Sequence, residues 1–260
     1  MSNLRDYSSN ARVQQFYREL YLNQNYNYVI KKLEQYSKLD KERLKMTDVL
    51  KMMNTFVDPS DPDIESPNSF HAYQTAEAIR RDYPNDKGFQ VCGLIHDLGK
   101  ILFYFGEPSW GIVGDTFVVG CPFPKTVVHY DETKSNSDVQ NDLYQSGLGL
   151  YRANCGIENL VISYGHDEYL YRVLTGNNTR HHLPERFAKM IRFHSFYPWH
   201  TGGEYRDLMQ KGDEELLKDV CLLNSYDLYS KGDTSFKLTQ EIRDYYDTLL
   251  ERFFPEPLCW

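Results

Sequence analysis

The stretch FQVCGLIHDLGK, residues 89–100, decides the fold because it combines the apolar spacing of a helix with titratable side chains. Phe89, Cys92, Gly93 and His96 follow the i, i+3, i+4, i+7 spacing of a single helix face. A histidine on such a face points into the core, where its ring nitrogens need polar partners. We therefore expect His96 to face inward and other segments of the chain to supply those partners.

The composition is that of an ordinary soluble globular protein, with 260 residues, 41% hydrophobic and 25% charged. This length is near the upper size for one hydrophobic core, so we expect residues 1–260 to form one compact domain. The net charge of -8 gives no basic footprint. It therefore argues against nucleic acid and against acidic membrane surfaces as partners, and no protein partner is evident.

Neither the N-terminal residues nor any later segment contains an apolar run long enough for a signal peptide or a membrane span. Five cysteines are scattered along the chain and never form a C-x-x-C pair, which predicts neither a disulfide framework nor a zinc ribbon. They are Cys92, Cys121, Cys155, Cys221 and Cys259. The simplest expected location is the cytoplasm.

Apolar residues recur mostly with helical periodicity. This pattern predicts helices over residues 11–37, 41–57, 66–84, 87–105, 155–175, 183–196, 213–230 and 237–253. Between them, residues 106–149 are rich in Gly and Pro, and the clusters TFVVG (116–120) and TVVHY (126–130) predict only short strands. The expected fold is an all-α bundle with one long irregular loop, of the length typical of a lid or binding loop.

Other predicted helices also place a metal-binding side chain on the apolar face by the same spacing. These side chains are His71, His166, His194 and Asp227. Any single histidine fits an ordinary hydrogen-bonded core residue, but a buried carboxylate is costly without a cation or donors. Five helices with an inward ligand favour a metal site. The remaining histidines are predicted to lie in surface loops: His129, His181, His182 and His200.

Asp97 directly follows His96, and neighbours on a helix diverge by about 100°. For both to bind metal, the site must straddle one edge of the helix, and a carboxylate there can bridge two ions. Four imidazoles with two carboxylates form a nitrogen-rich donor set that suits iron or manganese better than magnesium, and it contains no thiolate. The sequence thus predicts a dinuclear site with Asp97 as the bridge.

The pattern of His71, His96-Asp97 and Asp227 resembles the H…HD…D pattern of the HD-domain superfamily, whose members are helical metalloproteins and mostly phosphohydrolases. Longer strings are more specific and are similar to those of the myo-inositol oxygenase family, over nearly the whole chain. These strings are DPSDPD…PNSFHAYQTAE, GLIHDLGKI, GEPSWGIVGDTFVVGC, GHDEYLY, RFHSFYPWHTGG and YDLYSK. The resemblance implies an HD-domain-like helical fold.

The resemblance also implies a non-haem diiron enzyme, active with mixed-valent Fe(II)/Fe(III), that uses O2 to cleave the C1–C6 bond of myo-inositol to D-glucuronate. Its ligand pattern falls on His71, His96, Asp97, His166, His194 and Asp227. Its substrate-contact pattern falls on Arg5, Asp58, Ser60, Lys100, Gly114, Asp115, Ser195 and Lys231. Within that scheme Lys100, one helical turn after His96, is predicted to assist deprotonation of a coordinated hydroxyl.

Two departures from the family pattern are Tyr164, where the family often has Trp, and a longer loop TGNNTRHHLP; neither involves a ligand. An HD-type phosphohydrolase remains the main alternative, although no Gly-rich loop opens a helix and few cations surround the predicted site. A metal-binding regulatory module without catalysis is a third reading, and it would need no loop of sugar-like contacts.

Overall fold

The computed structural model describes residues 10–55, 68–231 and 236–260, and of residues 229–231 it describes the backbone alone. Helices dominate these ranges, as the sequence predicted. Among the described residues, no helix combines the length and the apolar character needed to cross a bilayer.

The α-helices are α1 (Ala11–Asn23), α2 (Tyr26–Tyr36), α3 (Met46–Met52), α4 (Asn68–Asp82), α5 (Lys87–Ile95), α6 (Asp142–Gln145), α7 (His166–Gly176), α8 (Glu185–Phe193), α9 (Tyr197–His200), α10 (Asp213–Lys231) and α11 (Gln240–Phe253). The two strands are β1 (Arg43–Leu44) and β2 (Leu258–Cys259). Short 3-10 helices lie at Met53–Thr55, Leu98–Phe103, Ser109–Gly111, Tyr130–Ser135, Ser137–Gln140, Ile157–Asn159 and Arg206–Leu208.

Local capping explains why several predicted helices are shorter or divided. The prediction over 11–37 corresponds to α1 and α2, because the Asn25 side chain accepts a hydrogen bond from the Tyr28 backbone and starts a new helix. Asp86 caps α5 in the same way through Phe89 N at 2.9 Å. The prediction over 41–57 is wrong at its start, where β1 precedes α3.

Two of the site helices differ from prediction at the ends that carry the site. α5 stops at Ile95, so His96 caps it and the chain continues through Asp97 into a 3-10 helix, instead of one helix reaching residue 105. α7 begins only at His166. Ile162, predicted to share its helix face, instead forms an isolated antiparallel bridge with Val118.

The small sheet pairs distant parts of the chain, and local periodicity did not predict it. β1 and β2 are antiparallel, with Arg43 opposite Cys259 and Leu44 opposite Leu258. The adjoining Trp260 is fully buried, and its backbone exchanges hydrogen bonds with Lys41 and Glu42. This pairing ties the chain's last residues to the connection between α2 and α3.

The long loop over 106–149 contains three 3-10 helices and the short helix α6 among irregular turns. Of the two predicted strands in it, TFVVG contributes the single bridge of Val118, whereas residues 126–130 form no strand. The loop is nevertheless well packed, since Ile112, Phe117 and Val118 are at most 1% exposed. It belongs to the core and is not a detached flap.

Five helices, α4, α5, α7, α8 and α10, pack against one another and form the part of the bundle that carries the site. Glycines permit two close contacts in this part of the bundle, one between α5 and α4 and one between the 3-10 helix after α5 and the start of α7. A Cβ at Gly93 would lie 2.5 Å from the Ile79 side-chain methyl group on α4. A Cβ at Gly99 would overlap the backbone carbonyl of His166. The 3-10 helix after α5 can therefore contact the start of α7 only if residue 99 has no side chain.

We expect Gly99→Ala to lower the unfolding free energy by about 1–3 kcal/mol and to weaken metal binding, because the backbone carrying His166 must move. Urea denaturation and the metal content of the purified protein measure the two effects. Gly93→Ala is the matched control, since its new Cβ meets the flexible end of Ile79 instead of backbone. If the two variants lost the same unfolding free energy and bound the same amount of metal, the role given to Gly99 in the contact with His166 would be contradicted.

Candidate metal centre

The structure brings all six predicted metal ligands together in the interior of the bundle. His71 comes from α4, Asp227 from α10, and the others lie at helix ends: His96 and Asp97 after α5, His166 opening α7, and His194 after α8. Each of the six is at most 5% exposed. Three overlapping groups of side chains have donor atoms close enough to hold a metal ion: His71, His96 and Asp227; His96, Asp97 and His194; and His166 and His194 with Asp167. We call His71, His96 and Asp227 the first group, and Asp97, His166 and His194 the second group.

The first group lies between α4, α5 and α10. His71 Nε2 is 2.7 Å from Asp227 Oδ1, and His96 Nε2 is 3.7 Å from the same oxygen. Asp227 is thus a buried carboxylate facing two imidazoles, an arrangement that a cation at their centre would satisfy. Two nitrogens and one oxygen converge at this position.

The second group lies between α5, α7 and α8. His166 Nε2 and His194 Nε2 are 3.2 Å apart, and they lie 3.2 Å and 3.6 Å from Asp97 Oδ1. Here too the donor atoms are two imidazole nitrogens and a carboxylate oxygen. The separation of the two nitrogens is close to that of two ligands on one ion.

Asp97 stands between the groups and presents one oxygen to each. Oδ1 faces His166 and His194, whereas Oδ2 lies 3.6 Å from His96 Nε2. A carboxylate whose two oxygens diverge toward two clusters of ligands has the geometry of a bridge between two ions. The two oxygens of Asp97 thus face different imidazoles, although α5 ends before Asp97.

Three of the four imidazoles are oriented by backbone carbonyls. Nδ1 of His96 lies 2.8 Å from Gly93 O, Nδ1 of His194 lies 2.7 Å from Ile191 O, and Nδ1 of His166 lies 2.7 Å from Ile112 O. A carbonyl can only accept, so Nδ1 carries the proton and Nε2 is the nitrogen left to bind metal. The side chains present therefore fit a nitrogen-rich metal site.

The charges of the cluster are strongly coupled. Burial alone would lower the pKa of His166, but the charge of Asp167 and hydrogen bonds to Asp167 and Asp97 raise that pKa to about 10. For Asp97, burial opposes ionisation, yet Lys100 and the neighbouring histidines hold its pKa well below the usual range. In the absence of metal, His166 is thus a protonated imidazole paired with the carboxylates of Asp167 and Asp97.

Lys100 lies at the site, but not where an unbroken helix would put it. It is in the 3-10 helix after α5, is 5% exposed, and donates from Nζ to Asp97 Oδ2 at 2.9 Å. The predicted placement on the His96 face of one helix is wrong, because α5 ends at Ile95. Its described contact is with the Asp97 carboxylate.

Of the predicted substrate contacts, Gly114, Asp115 and Ser195 lie around the second group. Ile112 O accepts from His166 N at 2.8 Å, and Thr116 N donates to Ser195 O at 2.9 Å, so the loop between them is fixed at both ends by site segments. Gly114 has φ +100°, and a Cβ there would lie 2.6 Å from a Leu20 methyl group. Both observations require glycine at this position.

Asp115 is held by α1, since the Tyr17 hydroxyl donates to Asp115 Oδ1 at 3.0 Å. Other predicted contacts cannot be placed: Arg5, Asp58 and Ser60 lie outside the described residues, and of Lys231 only the backbone at the end of α10 is described.

Of the histidines predicted to lie in surface loops, His129, His181 and His182 are in loops, but His200 ends α9 and is buried. That prediction is wrong because His200 Nε2 lies 3.0 Å from the His194 carbonyl oxygen.

Two polar residues at the site escaped the sequence reasoning. Asp167 Oδ1 lies 2.7 Å from His166 Nε2 and 3.5 Å from His194 Nδ1, and it accepts from Ser195 Oγ at 3.2 Å. Asn68 Nδ2 donates to Asp97 Oδ2 at 2.9 Å. The signals were a second His-Asp pair, at 166–167, and the i, i+3 spacing of Asn68 and His71 on one helix face.

A buried ion pair fixes α7 against α8 beside the second group. Arg192 Nε donates to Glu168 Oε2 at 2.7 Å, with side-chain exposures of 8% and 2%. Arg172 occupies the other Glu168 oxygen, and Arg192 Nη1 donates to Glu158 O. Since His166 opens α7 and His194 follows α8, this pair sets the relative position of the two helices that carry them.

A mainly helical bundle with a buried cluster of imidazoles and carboxylates defines a class of helical protein whose interior is compatible with a metal site. The sequence profile of the myo-inositol oxygenase family matches residues 10–260. Inositol oxygenase from Sus scrofa is 43% identical over 260 residues, covering 98% of this chain and 91% of the relative. Inositol oxygenase 1 from Arabidopsis thaliana is 41% identical over 263 residues, covering 98% and 84%. The chain belongs to the myo-inositol oxygenase family.

We expect metal binding to release protons, because His166 must lose the proton that its pKa of about 10 retains at neutral pH. Metal affinity should therefore rise with pH up to about that value. Anaerobic calorimetric titration with Fe(II) at pH 8, in two buffers of different ionisation enthalpy, counts the protons. Asp167→Asn removes the charge that raises the pKa of His166, so this variant should release fewer protons when it binds Fe(II). If the binding heats of both proteins were the same in the two buffers, no protons would be released and the expectation would be contradicted.

Arg192→Met should lower the unfolding free energy by about 3–5 kcal/mol, because it leaves Glu168 as a buried carboxylate without its main partner across the helix pair. The matched control is Arg186→Met on the same helix, whose bidentate pair with Asp219 is solvent-exposed at the arginine, at 53%. Arg186→Met should lower the unfolding free energy by less than about 1 kcal/mol. Urea unfolding measures both values, and equal losses would show that burial of the Arg192 pair does not matter.

Proposed function

We propose that this chain uses O2 to oxidise myo-inositol, cleaving the C1–C6 bond to give D-glucuronate in a four-electron oxidation. Curated relatives named inositol oxygenase, at about 42% identity over almost the whole chain, support the substrate and the oxygenase class. The observation that carries the proposal is the meeting of the six predicted ligands around Asp97, with one carboxylate oxygen toward each group. We assign the activity to one catalytic domain over residues 1–260, acting in the cytoplasm without a protein partner.

In this proposal two irons, mixed-valent Fe(II)/Fe(III) in the active form, bind to six residues. The first position takes His71, His96 and Asp227, the second takes His166 and His194, and Asp97 bridges them. When bound, the pair supplies Lewis acidity toward inositol hydroxyl groups and the redox capacity to use O2. The four imidazoles favour iron over magnesium, and the cluster has no thiolate that would favour structural zinc.

The protein's own residues handle the polyol and its protons. Myo-inositol is uncharged, so its recognition depends on hydrogen bonds, and each buried partner left unpaired would cost binding energy. We assign contacts to Asp115, held by Tyr17, and to Ser195 and the backbone at Gly114. The remaining assigned contacts are Arg5, Asp58, Ser60, Lys100 and Lys231.

Lys100 is assigned the proton-transfer role. As an ammonium it cannot bind metal, but it lies 2.9 Å from Asp97 Oδ2 and is therefore within one hydrogen bond of the proposed bridge. A hydroxyl group bound beside Asp97 would be within reach of this cation, which stabilises an alkoxide formed there. Water is kept from the cluster by packing, since every proposed ligand is at most 5% exposed.

Anaerobic reconstitution with excess Fe(II), partial oxidation, and addition of O2 and myo-inositol test the proposal. We expect about two irons per chain, O2 uptake that requires inositol, and D-glucuronate as product. A parallel assay for phosphate release from nucleotides tests the phosphohydrolase alternative. Stable binding of one iron in fully active protein would refute the dinuclear assignment, and phosphate release without glucuronate would refute the function.

Lys100→Ala should keep both irons but reduce turnover by about 10²–10⁴-fold, the usual effect of losing a proton-transfer group. Iron content must be measured with the rate, because the variant also removes one donor to Asp97 Oδ2. Lys125→Ala is the control, as Lys125 is an exposed lysine of the long loop. Intact iron with unchanged kcat/KM for myo-inositol would show that Lys100 has no catalytic role.

A further inference from the structure

Asn68 is the first residue of α4 and is 3% exposed. Asparagine at the start of a helix usually accepts a backbone N–H hydrogen bond through its side-chain oxygen and so caps the helix. Here Oδ1 is buried and has no hydrogen-bond partner among the described residues. Asn68 therefore does not cap α4, and its side chain serves another purpose.

The amide nitrogen of Asn68 is directed at the bridge. Nδ2 donates to Asp97 Oδ2 at 2.9 Å, the oxygen that also accepts from Lys100 Nζ at 2.9 Å. Two donors on one oxygen fix the plane of the carboxylate, which must keep Oδ1 toward His166 and His194 at the same time. Hydrogen bonds to a ligating carboxylate of this kind tune metal affinity.

The other end of the same amide is an acceptor without a donor. Oδ1 and Nδ2 belong to one planar group, so the unpaired oxygen lies within a few ångströms of the Asp97 carboxylate. Leaving a buried acceptor unpaired is costly, which favours a donor brought by a ligand. Under the proposed function, the ligand rich in O–H donors at this place is the polyol.

We propose that Asn68 is a positioning residue with two tasks: its amide N–H orients the bridging carboxylate of Asp97, and its carbonyl accepts a hydrogen bond from a hydroxyl group of bound myo-inositol. This assignment rests on the proposed function. It also explains why a residue three positions before His71 is polar although it is buried.

A crossed pair of variants separates hydrogen bonding from packing. Asn68→Leu keeps the number of side-chain heavy atoms and the branch at Cγ and removes both proposed hydrogen bonds, whereas Asn68→Ser loses volume and keeps a donor and an acceptor with room for one water. Iron affinity is measured by anaerobic competition with a chromogenic Fe(II) chelator, and inositol affinity by anaerobic calorimetry on iron-loaded protein. Ser69→Ala is the control, because Ser69 is the next residue, buried, and bonded to Asn54 instead of the site.

We expect Asn68→Leu to weaken iron binding by about 10- to 100-fold and to raise the Kd for inositol, with Asn68→Ser recovering part of both losses. Wild-type iron and inositol affinities in Asn68→Leu would overturn the inference, and so would larger losses in Asn68→Ser than in Asn68→Leu, which indicate packing. If Asn68→Leu does not fold, Asn68→Ala replaces it, and the comparison with Asn68→Ser then depends on one hydroxyl group. Wild-type protein that neither binds nor oxidises inositol would refute the proposed function itself, before any variant is compared.

Discussion

The structure depends on the buried carboxylate of Asp97, which contacts residues in α4 and α7 and residues that follow α5 and α8. An ionised carboxylate in the interior is strongly destabilising unless cations and donors surround it. Asp97 has Lys100 and Asn68 on one oxygen and His166 on the other. Burial opposes its ionisation, but Lys100 and the neighbouring histidines hold its pKa well below the usual range. The close approach at Gly99, which admits the backbone of His166, follows from the same requirement.

Helix ends, more than helix faces, build this site. The last carbonyls of an α-helix have no partner within the helix. His96 and His194 each follow a helix, and each directs Nδ1 at the carbonyl three residues earlier, Gly93 O and Ile191 O. A carbonyl in the last turn of α5 or α8 thus selects the tautomer that leaves Nε2 for metal. Ending these helices one turn later would use those carbonyls in the helix and release the imidazoles.

Periodicity predicted the inward residues of α4 and α10 for the right reason, because His71 and Asp227 lie within regular helices. His166 faces the interior as predicted, but the predicted reason was wrong. Ile162 does not share a helix face with it and instead forms a bridge with Val118. The β1–β2 pairing depends on partners far away in sequence, which local spacing does not encode. The ends of α5 and α8 and the burial of His200 depend on specific contacts with backbone carbonyls, which apolar spacing does not encode either. The resemblance to the myo-inositol oxygenase family supplied the substrate contacts that spacing could not.

The two groups of ligands are unequal, and the inequality indicates where a substrate would bind. The first group has His71, His96, Asp227 and one oxygen of Asp97; the second has two imidazoles and the other oxygen. Fewer protein donors leave more coordination positions open. Ser195 adjoins His194, and the loop carrying Gly114 and Asp115 is fixed to His166 through Ile112 and to Ser195 through Thr116. Under the proposed function, the assigned contacts at Gly114, Asp115 and Ser195 are thus joined by backbone hydrogen bonds to the group with fewer assigned ligands, and this is where the polyol would bind.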